Sequence, residues 1–109
     1  MEYEGTVIEN SLKDKSILER LAIVKTWDDD DWILHDVVVD EKEMVQIQKA
    51  LDDGPWYVHF WSNESDEIFV IFKEKSFTIR KSNRDSWEEA ISYGLSIGIP
   101  QSQLDFLTK

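Results

Sequence analysis

The chain has 109 residues, 23 acidic and 12 basic, for a formal net charge of −11. A chain of this length buries one core, and a hydrophobic share of 41% with five tryptophans excludes a disordered acidic tail, which lacks the aromatic and β-branched residues that offset chain entropy. The charge argues against nucleic acid and anionic membrane as partners, and the absence of cysteine excludes disulfides, thiolate nucleophiles and cysteine-bound zinc.

Residues 3–9 alternate Tyr3, Gly5 and Val7 against Glu4, Thr6 and Ile8, the period of a strand. Ser11 with Asp14 has the form of a capping box, and Ile17, Leu18 and Leu21 would be the apolar side of the short helix it opens. Residues 22–27 and 32–39 read as strands joined at Asp28, Asp29, Asp30 and Asp31. Four adjacent like charges demand water, so they belong at an exposed hairpin tip. Asp40 with Glu43 is a second capping box, followed by Met44, Ile47 and Leu51 at helical spacing, with Gly54 and Pro55 ending the helix.

Residues 56–62, 67–72 and 76–81 read as three antiparallel strands with hairpin-length connections. Asp85 or Ser86 opens the last helix, where Ala90, Gly94 and Gly98 recur every four residues as a smooth ridge suited to close packing. Beyond Pro100, Leu104 and Phe106 anchor one more turn or a docked tail. The expectation is a single α+β domain over 1–109, with an antiparallel or mixed sheet and helices mainly on one face. Its first six elements match the β-α-β-β-α-β order of ferredoxin-like folds, with β-β-α added.

Charge is uneven along the chain. Residues 1–36 carry ten acids and four bases, 37–73 eight and three, and 74–109 five of each. Asp28, Asp29, Asp30 and Asp31 are a candidate acidic contact. Carboxylates suit Ca²⁺ or Mg²⁺, but the run lacks the spaced acids, central glycine and distal glutamate of an EF-hand loop, so no metal or other cofactor is expected. Lys75, Arg80 and Arg84, with Lys73 and Lys81, form the basic cluster and a candidate basic contact. Salt bridges to the acidic remainder explain it more simply.

His35 and His59 are the side chains whose ordinary pKa lies near neutrality. Asp36 adjoins His35 but points to the opposite face of a strand, and no serine stands in a recognisable nucleophile motif, so no catalytic residue is assigned. The aromatic strand places Trp56, Val58 and Phe60 on one face as core. Tyr57, His59 and Trp61 fall on the other as a candidate partner or ligand surface, provided no helix covers it.

The segments GTVIENSL at 5–12, DKSIL at 14–18, YGLSIGIP at 93–100 and QLDF at 103–106 resemble a family of small uncharacterised prokaryotic proteins, with Trp32–His35 and Trp56-Tyr57 as interior landmarks. The resemblance covers nearly the whole chain and implies a free-standing prokaryotic domain with a variable acidic loop. It implies no activity, cofactor or catalytic residue.

The leading expectation is a non-enzymatic, acidic protein-interaction module: an inhibitor, immunity-type or accessory factor whose partner is another protein. The alternative is a small-molecule-binding domain or enzyme centred on His35, His59 and nearby carboxylates. An acidic mimic of nucleic acid ranks third. The acidic N-terminus lacks a signal peptide's basic start and apolar core, and no run is apolar enough for a membrane span, so a cytoplasmic location is expected.

Overall fold

Strand alternation builds β1 (Tyr3–Ile8), β2 (Ala22–Asp29), β3 (Trp32–Val39), β4 (Tyr57–Trp61), β5 (Glu67–Phe72) and β6 (Ser76–Arg80), with helices α1 (Glu41–Ala50) and α2 (Glu88–Ser96). In this computed structural model, which describes residues 1–108, the strands form one open antiparallel sheet in the order β2-β3-β1-β4-β5-β6. The radius of gyration, 13.1 Å, matches the roughly 13 Å of a folded domain this long.

The helices lie on opposite faces of the sheet, not mainly on one. Met44, Ile47 and Ala50 of α1 pack with Val7, Val37, Val39, Val58, Phe60 and Ile71 on the first face. Trp87 and Ala90 pack with Trp61, Ile68, Val70, Phe72 and Ile79 on the second. Strand β5 explains the arrangement: residues 68–72 are apolar without a break, so both faces need cover. The second core spans β4 to β6 only. Among the described residues no helix covers the second face over β1 and β3, and Thr6, Ile8, Trp32, Leu34 and Val38 stay half-buried.

Asp40 caps α1 as expected, accepting from the Glu43 amide at 2.8 Å while Glu43 accepts from the Asp40 amide at 3.0 Å. Gly54 does not end that helix. It stops at Ala50, whose carbonyl accepts from the amides of Lys13 and Asp14 at 2.8 and 3.3 Å. Gly54 instead turns the chain at φ +119° ahead of Pro55.

The helix expected after Ser11 is a six-residue 3₁₀ segment, Lys15–Arg20, capped by Asp14 and not by Ser11, whose buried hydroxyl donates to the Ile8 carbonyl. Residues 9–21 carry the chain from β1 to β2, past β3, and this segment is the longer helical part of that connection. A 3₁₀ rise of about 2.0 Å per residue reaches farther than an α-helix does. Likewise Asn83 starts the last helical stretch, through the 3₁₀ turn Arg84–Trp87, before α2.

The glycine ridge packs against the C-terminal segment: a Cβ on Gly94 would stand 2.5 Å from a Leu104 methyl. Gly98, at φ +96°, ends α2 in the left-handed turn that favours glycine.

Candidate functional site

The uncovered half of the second face forms the floor of a groove of about 260 Å³. Ile8 and Leu34 line it from β1 and β3, Trp32 and Trp56 from the strand entrances, Tyr57 and His59 from β4, and Ile99 and Gln103 from the C-terminal stretch. The two indoles meet edge to face, with centroids 5.8 Å apart. This volume falls just below the roughly 300–1,000 Å³ of pockets for drug-sized ligands and suits one or two side chains.

The wall is set by the C-terminal segment, which docks on the aromatic strand. Phe106 is fully buried against Tyr57, His59 and Trp87, at centroid separations of 5.4, 5.9 and 5.6 Å. The Tyr57 hydroxyl donates to the Gln103 carbonyl. Burial pushes that phenol up to about 12, against the pull of the Asp105 backbone amide. His59 Nε2 lies 2.9 Å from the Leu107 carbonyl. A carbonyl oxygen only accepts, so Nε2 carries the proton.

Desolvation by burial lowers the His59 pKa from 6.5, with the Leu107 carbonyl and the Asp105 charge pulling partly back. The folded state therefore prefers the uncharged ring. Its contribution to stability is complete above the unfolded value of 6.5 and is lost as pH falls through the lower folded value. Chemical denaturation of wild type and His59→Gln should give the largest stability difference near pH 7.5. That difference should shrink towards pH 5, whereas one independent of pH would contradict this environment for the ring.

Of the three residues expected to form a contact surface, Tyr57 and His59 line the groove half-buried. Trp61 is only 4% exposed, within the second core. The signals that were available for the groove are Leu34 and Trp32, which fall on the alternate positions of β3 opposite its core residues.

His35 stands on the other face of the sheet from His59, so no single site holds both histidines. Its partner is Glu9, not Asp36. Nε2 lies 2.9 Å from a Glu9 carboxylate oxygen, and Thr26 Oγ1 lies 2.8 Å from Nδ1. Carboxylate, imidazole and hydroxyl stand in the order that activates a nucleophile. However, none of these three residues lines the groove, and the array ties edge strand β2 through β3 to the turn after β1.

Asp28, Asp29, Asp30 and Asp31 form the exposed β2–β3 tip, as expected. Asn10 clamps it: its Nδ2 donates to the Asp31 carbonyl and its Oδ1 accepts from the Ile33 amide, both at 3.2 Å. Among the described residues no three His, Asp or Glu side chains come together as metal ligands.

Lys75, Arg80 and Arg84 of the basic cluster are exposed, and each lies against a neighbour from its own part of the chain. Arg84 stacks on Trp87 at 4.1 Å, Lys75 lies 5.1 Å from the Phe77 ring centre, and Arg80 reaches Asp66 at 3.9 Å. Lys73 and Lys81 donate to the carbonyls of Lys49 and Ser62.

No family model, curated protein or solved structure matches this chain. Among the described residues no helix is long and apolar enough to cross a membrane.

Proposed function

We propose that this protein is a non-enzymatic interaction module, acting as an inhibitor, immunity-type or accessory factor, that seats an apolar anchor of a protein partner in the groove. The observation that carries this reading is the half-buried apolar lining, with Trp32, Leu34 and Trp56 left uncovered by any helix among the described residues. Aromatic side chains around a recess are the usual makings of a binding hot spot. The groove's lining is mainly apolar, and the Tyr57 hydroxyl and His59 Nε2 are already engaged by backbone carbonyls of the C-terminal segment.

The same proposal extends to the fold. We read its first four strands as a ferredoxin-like unit extended by β5, β6 and α2. What supports this is the order β2-β3-β1-β4, together with the packing of Ile17, from the β1–β2 connection, and of α1 against the same face.

Selection of a random peptide display library on the purified protein tests the binding role. Enriched peptides are expected to share one large apolar side chain and to lose most of their binding to Leu34→Glu, which places a charge in the groove floor. Thermal unfolding of the variant checks its fold. Failure to enrich any peptide, or equal binding to wild type and Leu34→Glu, would contradict the proposal.

A further inference from the structure

Resting on that reading, we infer that the partner presents its anchor on a basic segment, so that an apolar side chain enters the groove while flanking Lys or Arg residues meet the β2–β3 tip. Trp32 lines both the groove and a recess formed with Asp29, Asp30 and Asp31, so the apolar floor runs directly into the carboxylates. The two Asn10 hydrogen bonds hold that tip beside the groove. Among the described residues, none of the four aspartates takes part in an ion pair. The basic side chains of residues 73–84 sit around β6, at the far edge of the sheet from β2, and are engaged with their own surroundings. Lys25, the cation on β2, lies over Trp27 at 5.2 Å. An apolar recess ending in uncompensated negative charge is complementary to an apolar anchor flanked by positive charge.

Three end-capped peptides with one central Trp, flanked on each side by two Lys, two Ser or two Glu, test this by fluorescence anisotropy. The Lys-flanked peptide is expected to bind about tenfold more tightly than the Ser-flanked one at low salt, with the gap closing as ionic strength shortens the screening length. The Glu-flanked peptide is expected to bind weakest. Replacing Asp28, Asp29, Asp30 and Asp31 together by Asn should remove the Lys advantage and leave Ser-flanked binding unchanged.

Equal affinity for the Lys- and Ser-flanked peptides would overturn this inference while leaving the groove reading intact. Undetectable binding of all three would overturn the groove reading as well. If Lys-flanked binding survives Leu34→Glu, the attraction is charge alone, and the inference fails.

Discussion

Replacing Phe106 by alanine is expected to destabilise the protein by about 3–5 kcal/mol, the range for emptying a buried aromatic site. Phe106 is fully buried and touches three rings from β4 and the turn before α2, so no single neighbour can relax into the space. Against a typical total of about 5–15 kcal/mol, that loss is a large share of the fold's stability. It also loosens the groove wall, because the same segment supplies the carbonyls that hold Tyr57 and His59. Urea denaturation measures the loss. A change below about 1 kcal/mol would mean that the C-terminal segment is not docked as described.

Gly5→Ala is the second large effect. Gly5 sits mid-sheet on β1, paired with Val37 on one side and Phe60 on the other. A Cβ there would overlap the Phe60 ring and stand 2.6 Å from the His59 backbone carbonyl. Neither can yield, since one is a fully buried ring and the other is strand backbone. The expected cost is about 1–3 kcal/mol or more, with β4 displaced from the groove.

Gly94→Ala is the informative comparison. The three atoms nearest its new methyl all belong to the Leu104 side chain, and alanine gains about 0.5–1 kcal/mol of helix propensity over glycine. Gly5→Ala should therefore be the more damaging of the two. The reverse order in denaturant midpoints would contradict the close β1–β4 approach.

The strands, the Asp40 capping box and the exposed acidic tip were legible because each rests on local signals: alternation, a three-residue spacing and adjacent like charges. The placement of the helices was less so, although the unbroken apolar run 68–72 already demanded cover on both faces. The pairing of His35 with Glu9 joins residues 26 apart, and the docking of Leu107 on His59 joins residues 48 apart. No periodicity reports such contacts, which follow from sheet order and register. The groove was half legible. Tyr57 and His59 stood out on an aromatic strand, but the open floor beside them exists because the second core stops at β4.

Chemical-shift mapping of the tryptophan indole N–H resonances with the Lys-flanked Trp peptide is the most direct test of the groove as a binding site. Saturable shifts at Trp32 and Trp56, with the buried Trp61 and Trp87 unmoved, are the expected result. Saturable shifts that spare Trp32 and Trp56 would place binding elsewhere and contradict it.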